Sequence, residues 1–311
     1  MILNRLTALR RIAKSLALRI PAFRKMSDEL RTYRHAFRFA SPGHFYSPIP
    51  SDEDLMDIHR TSGRPPRVIP GIDLNESRQL AMLSEIKRFY RDLPFSAQKT
   101  SSCRYFYENP FYSYSDAICL YGILRHARPE RIVEIGSGYS SCVMLDTIDL
   151  HLDGRVACTL IEPYADRLRS LLEPGDLERV TILEQRVQDV NLDPFLKLNR
   201  NDILFIDSSH VVKVGSDVNY LLGEVLPRLH EGVYIHFHDI FYPFEYPEVW
   251  LAEGRVWSEA YALRAFLAFN HTFEIVLFNT YLEHFHREIF KREMPLCLKD
   301  EGGSIWLQKV R

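Results

Sequence analysis

Between residues 131 and 237, short apolar runs alternate with stretches of helical periodicity. The runs are Ile132, Val133 and Ile135 with Glu134 between them, then 156–161, 180–183, 202–206 and 233–237. Helical spacing opens at Ser140, covers 165–172, and runs from 217 to 229 behind a cap at Ser216 or Asp217. Strands that alternate with helices predict an α/β fold with a doubly wound, mostly parallel sheet. A helix over 258–269, an apolar run 273–278, a segment holding His284 and His286, and a strand 304–309 complete a seven-strand pattern. No long crossover helix joins the last two strands, so they are expected to pair antiparallel at the sheet edge.

Upstream, the spacing of Leu80, Met82, Leu83, Ile86 and Phe89 predicts a helix over 76–91. An aromatic loop, RYFYENPFYSY (104–114), follows; most of it reads as core, with Tyr112 and Tyr114 as candidates for a cleft wall. Ser115 or Asp116 is expected to cap the next helix, through Ile118 to about Arg125. Residues 38–70 are rich in Ser, Pro, His and Gly and read as an irregular linker or lid. Residues 1–25 carry Arg5, Arg10, Arg11, Lys14, Arg19, Arg24 and Lys25 and no acid, with Leu3, Leu6, Leu9, Ile12, Leu16 and Ile20 at helical spacing. That basic amphipathic helix, which Pro21 is expected to stop or kink, suits either an anionic membrane surface or a face of its own domain. Its arginines and the lack of a small-residue cleavage site argue against a secretory signal; a mitochondrial presequence has a similar composition. The chain therefore divides into a helix and linker over 1–70 and a catalytic-type domain over 71–311.

Composition narrows the picture a little. Of the 311 residues 46 % are hydrophobic, enough for a large core, but no apolar run approaches the roughly 20 residues of a membrane span. A net charge of −2 gives no reason to expect a nucleic-acid partner. Cys103, Cys119, Cys142, Cys158 and Cys297 are scattered without a C-x-x-C pair, which reads as reduced buried thiols in a cytoplasmic protein. The N-terminal helix adds the expectation of contact with the inner face of a membrane.

The chemistry starts at RIVEIGSGYSS (131–141), a strand that runs through a glycine turn into a helix. Gly136 can adopt a backbone conformation closed to other residues, and Gly138 leaves no Cβ between the loop and a ligand. The helix start aims free N–H groups at the same spot. Glu162, at the tip of the next strand, stands where an acid grips a ribose diol; the plainer alternative is a solvated loop acid before Pro163.

VEIGSGYSS, Glu162, the tripeptide Val187-Gln188-Asp189, ILFIDSSH (203–210) and YIHFHDI (234–240) together resemble class I S-adenosylmethionine-dependent methyltransferases over about residues 71–311. More narrowly, the DSSH and HFHD strand ends are similar to a bacterial subgroup common in sugar and natural-product pathways. The resemblance implies a Rossmann-like seven-stranded fold and S-adenosylmethionine as cofactor. It implies that Glu134, Gly136, Ser137 and Gly138 serve the methionine and ribose, Glu162 the ribose diol, Gln188 and Asp189 the adenine edge, and that Asp207 also touches the cofactor. The aromatic motif of amide and base N-methyltransferases is absent from the fourth strand end, which turns the reading toward a hydroxyl on a small molecule or glycan.

Neighbouring fourth and fifth strands bring Asp207, His210, His238 and Asp239 around one spot. One reading has Asp207, His238 and Asp239 hold Mg²⁺ or Mn²⁺, as in metal-dependent O-methyltransferases. Another makes His210 or His238, oriented by an aspartate, a general base for the acceptor hydroxyl, with Asp239 counted among the catalytic residues. In the third, the aspartates cap turns and the histidines satisfy backbone. His236 reads as a satisfied core histidine, His284 and His286 as loop polars, and Lys213 as solvated. A nicotinamide oxidoreductase (with Ser141 in place of the third glycine), a metal-dependent hydroxylase and a non-catalytic membrane-associated nucleotide-binding module stay open as alternatives. The sequence leaves the oligomeric state open.

Overall fold

A computed structural model describes residues 20–61 and 65–311. The chain forms two compact units, residues 1–62 and 63–311. Most of the basic helix expected over residues 1–25 lies outside the described residues. Within the first unit, helix α1 spans Pro21–Ala36 and α2 spans Asp52–Thr61. Pro21 starts α1: in the first turn its missing N–H has no partner to lose; whether it also stops a helix before it lies outside the described residues. The stretch read as irregular linker contains α2, which opens where the Ser51 N–H and hydroxyl donate to Asp54.

The second unit is built on seven strands: β1 (Arg131–Ile135), β2 (Ala157–Ile161), β3 (Val180–Leu183), β4 (Ile203–Ile206), β5 (Tyr234–His238), β6 (Phe273–Phe278) and β7 (Ser304–Lys309). Their order is β3-β2-β1-β4-β5-β7-β6. β1 to β5 run parallel, and β7 is antiparallel to both β5 and β6. The reversed strand is thus inserted one place in from the edge, and β6 forms the rim. β4 is buried along its whole length, as expected of a strand covered on both faces. Helices α3 (Glu76–Ile86), α4 (Tyr114–Ala127), α5 (Tyr139–His151), α6 (Asp166–Leu171) and α7 (Glu259–Leu267) surround the sheet, with α3 against β6 and α4 against both α3 and α5.

Several local expectations are corrected. Helix α4 begins at Tyr114, so Ser115 and Asp116 lie inside it rather than capping it. The Ser115 hydroxyl donates to Glu283 (2.7 Å), and Asp116 accepts from Asn279 Nδ2 (3.1 Å) and the Gly303 N–H (3.0 Å). Both side chains tie α4 to the segment between β6 and β7. Tyr112 and Tyr114 are core residues rather than cleft walls: Tyr112 donates to the Asp116 carbonyl and Tyr114 stacks on Tyr107 at 4.5 Å. The aromatic loop is held by Arg104, whose buried guanidinium bridges Asp146 (2.8 Å) and Asp176 (2.6 Å). The helix expected over 217–229 is α-helical only for Asp217–Tyr220; it widens to a π turn and then tightens before Pro227. Its cap is as expected, with the Ser216 hydroxyl accepting from the Asn219 N–H. All five cysteines are buried and unpaired.

Candidate active site

Parallel register brings the ends of four strands to one level. Ile135 is opposite both Ile161 and Ile206, and Ile206 is opposite Phe237. The residues that follow are therefore neighbours: Gly136, Glu162, Asp207 and His238. Two backbone bonds extend the ladder by a step, from the Gly136 N–H to the Ile161 carbonyl (3.0 Å) and from the Asp207 N–H to the Ile135 carbonyl (2.8 Å). Beyond these ends lies a cleft of about 570 Å³, lined among others by Gly136, Glu162, Tyr164, Gln188, Asp207 and Lys213. A volume of this order suits a small-molecule cofactor.

The glycine turn works by close approach. Gly136 has φ +76°, and a Cβ there would stand 1.7 Å from the Asp207 carbonyl oxygen. Gly138 is extended, and a Cβ there would meet no atom within 4 Å. Glu162 accepts from the Ser137 N–H (3.3 Å) and the Tyr164 N–H (2.8 Å), which fixes its carboxylate at the cleft edge. Gln188 donates to the Gly215 carbonyl (2.8 Å) and also lines the cleft.

Glu134, Ser137, Gly138 and Asp189 are not among the residues lining the cleft. Glu134 is fully buried and accepts hydrogen bonds from the hydroxyls of Ser140 (2.6 Å) and Ser141. Ser141 in turn accepts from the Gly138 N–H (3.0 Å), so Glu134 braces the turn from beneath rather than facing a ligand. Burial raises its carboxyl to about 7, against the pull of its serine donors. The Asp189 carboxylate is engaged by Arg186 in a two-bond pair at 2.8 and 3.0 Å.

Behind Asp207, which lines the cleft, the carboxylates gather on His210; His210, His238 and Asp239 are not themselves among the lining residues. Its Nε2 lies 3.2 Å from Asp207 and 3.6 Å from Asp239, and its Nδ1 lies 2.8 Å from Glu259. One ligand atom each from Asp207, His210 and Asp239 fall within 4.8 Å of one another. His210 and Asp239 both adopt left-handed backbone, φ +59° and +55°, a conformation that costs about 1–3 kcal/mol per residue. The segment before α7 holds the first of these. Ser258 and Glu259 donate backbone N–H groups to the His210 carbonyl (2.9 and 3.1 Å), and the Trp257 ring lies 4.3 Å from the imidazole.

This grouping differs from the expected metal set of Asp207, His238 and Asp239. His210, not His238, is the imidazole placed between Asp207 and Asp239. His238 approaches the other oxygen of Asp239 at 3.5 Å and leaves its buried Nδ1 without a hydrogen-bond partner. His236 is buried but not satisfied: both its ring nitrogens lack partners, and it stacks on Phe205 at 3.9 Å. Burial pushes it well below the usual imidazole range, so it is neutral. Burial also opposes a charge on His210, yet hydrogen bonds to Asp207 and Glu259 raise it well above the ordinary value. Asp207 is raised by burial, but the cationic His238 and His210 outweigh that and hold it below its usual value. Burial lifts Asp239 and Glu259.

Glu259 and Trp257 do not stand out in the sequence. A Ser-Glu pair at a helix start reads as an N-terminal cap, and no local pattern joins Glu259 to an imidazole 49 positions earlier. His286 pairs with Glu76 at 2.6 Å, away from the cleft lining.

A parallel sheet with one reversed strand, a glycine turn after β1 and an acid after β2 define a Rossmann-like methyltransferase architecture. A family model described as a methyltransferase domain matches residues 133–240. An uncharacterized protein of Archaeoglobus fulgidus is 37 % identical over 180 residues, 55 % of this chain and 78 % of that protein. The chain carries a methyltransferase domain. Solved structures similar to it include the O-methyltransferase TomG from Streptomyces achromogenes in complex with SAM (17 % identity, 74 % of this chain and 90 % of that chain, TM-score 0.43). A putative O-methyltransferase from Klebsiella pneumoniae is also similar (17 % identity, 84 % of this chain and 97 % of that chain, TM-score 0.42).

Proposed function

We propose that this methyltransferase moves the methyl group of S-adenosylmethionine to a hydroxyl oxygen of a small-molecule or glycan acceptor, with Asp207, His210 and Asp239 as ligands for Mg²⁺ or Mn²⁺. The observation that carries the reading is the Asp207–His210–Asp239 cluster, which adjoins through Asp207 a cleft edged by Gly136 and Glu162. Two carboxylates and one imidazole suit a divalent first-row ion or Mg²⁺. Glu259 completes the donor chemistry. Bonded at 2.8 Å to His210 Nδ1, it selects the tautomer whose Nε2 faces the two aspartates, the arrangement common behind metal-bound histidines.

The cofactor end follows from residues of the chain alone. Glu162 offers its carboxylate to the ribose hydroxyls, Gln188 stands at the adenine edge, and the Gly136 turn leaves bare backbone beside the methionine portion. Holding acceptor oxygen and methyl in line is the largest task, worth about 7–11 kcal/mol of barrier in well-oriented reactions. A bound divalent ion would polarise the acceptor hydroxyl and favour its ionised form.

Calorimetric titration with adenosylhomocysteine, with and without Mn²⁺, tests both halves. Wild type should bind. Glu162→Ala should bind about 10- to 100-fold more weakly, the loss of one or two charge-assisted hydrogen bonds, with little change in melting temperature. Asp239→Asn should lose Mn²⁺ binding and keep adenosylhomocysteine. Equal adenosylhomocysteine affinity for wild type and Glu162→Ala would remove Glu162 from the cofactor site.

A further inference from the structure

Among the described residues, helix α1 presents a half-exposed apolar stripe. Phe23, Met26, Leu30 and Tyr33 are 47, 49, 50 and 50 % exposed. At 3.6 residues per turn their spacing of three and four keeps them within an arc of about 80°. At the same pitch Arg34 borders the stripe on one side with Arg31 further round, Glu29 borders it on the other, and Arg24, Lys25 and Asp28 fall on the far side.

Charge says what kind of surface this is. Residues 1–38 hold ten Lys and Arg against two acids, Asp28 and Glu29, a surplus of eight; because the whole chain is −2, the remainder carries −10. A polyanion such as nucleic acid would take the cations and leave the stripe in water. A second copy would bring eight positive charges against eight, along a stripe of about two heptads, short of the three to four that sustain a coiled coil. No helix among the described residues is long and apolar enough to cross a membrane. An anionic bilayer surface answers both features: acyl chains accept the apolar side chains while headgroups neutralise the flanking arginines.

We infer that α1 docks this methyltransferase on anionic membrane surfaces, lying in the interface with Phe23, Met26, Leu30 and Tyr33 inserted. The strongly negative remainder is repelled by the same surface, so attachment is oriented through the N-terminal segment. Contact of this kind is screened by salt, because the charge term acts over about one Debye length.

The test is co-sedimentation of the full-length protein with vesicles of phosphatidylcholine alone or mixed with phosphatidylglycerol. Binding is expected to the mixed vesicles and not to phosphatidylcholine, and should fall as salt rises. Arg31→Gln and Arg34→Gln should each weaken partition roughly fivefold, and Phe23→Asp with Leu30→Asp should abolish it. An unchanged melting temperature and adenosylhomocysteine affinity in these variants keeps the result separate from folding and from the cofactor site. Absence of binding to mixed vesicles, or binding indifferent to the Asp substitutions, overturns the inference. So does self-association in sedimentation velocity that Phe23→Asp and Leu30→Asp remove, since the stripe is then covered by a second copy.

Discussion

Replacing Gly136 by alanine tests the geometry on which the site is built. The new Cβ would stand 1.7 Å from the Asp207 carbonyl oxygen and 2.8 Å from its carbonyl carbon, where ordinary contact begins at 3.4 Å. Both neighbours are backbone, so neither can rotate away; the loop and the end of β4 must separate by roughly 1.7 Å. At φ +76° a side chain adds a left-handed penalty of about 1–2 kcal/mol. Forced overlap in a packed region adds about 1–3 kcal/mol. The sum, about 2–5 kcal/mol, corresponds to a melting temperature lower by roughly 5–15 °C in a unit of this size. Because the displaced carbonyl belongs to Asp207, adenosylhomocysteine and Mn²⁺ affinity should fall together. Denaturant unfolding and calorimetry measure the two losses. Gly138→Ala is the control: its backbone is extended and nothing lies within 4 Å of the added methyl, so stability should change by less than about 1 kcal/mol. A Gly136→Ala protein with wild-type stability and affinity would refute the close-approach argument.

Two further predictions concern buried acids. Glu259→Gln should weaken Mn²⁺ binding about 10- to 100-fold while leaving adenosylhomocysteine affinity intact, because it removes the carboxylate that orients His210; an unchanged Mn²⁺ titration would dissociate Glu259 from the cluster. Glu134 has a folded-state pKa of about 7 against an ordinary 4.5, so folding favours its protonated form. Wild type should therefore lose stability as pH rises from 4.5 through 7, by about 3 kcal/mol in all. In Glu134→Gln that loss is absent, so the stability difference between variant and wild type should grow by this amount between pH 4 and pH 8. A difference that stays flat in urea titrations across that range would show that Glu134 is not the burdened group.

How far the site is legible in the sequence varies from residue to residue. Strand-terminal positions read well because parallel register is nearly uniform: once β1, β2, β4 and β5 are recognised, Gly136, Glu162, Asp207 and Asp239 follow at their ends. Glu134 misleads because a strand acid beside a glycine turn has two ways to serve it. It can face a ligand or brace the loop, and only the positions of Ser140 and Ser141 choose between them. Tyr112 and Tyr114 mislead because an aromatic loop has no period to show which rings turn inward.

Periodicity and turn chemistry act over a few residues, so the sequence alone determined the run of strands and helices, the glycine turn, the acid after β2 and the charge surplus of the N-terminal segment. The grouping of His210 rather than His238 with Asp207 and Asp239 belongs to the tertiary structure. It needs two left-handed residues at different strand ends, one of them held by Ser258, Glu259 and Trp257 from a segment about 50 positions later. The same holds for β7 slipping between β5 and β6, for Arg104 locking the aromatic loop to Asp146 and Asp176, and for the two orphaned nitrogens of His236. Each depends on contacts between residues far apart in the chain, whose cost and gain are set by packing in three dimensions and leave no trace in local spacing.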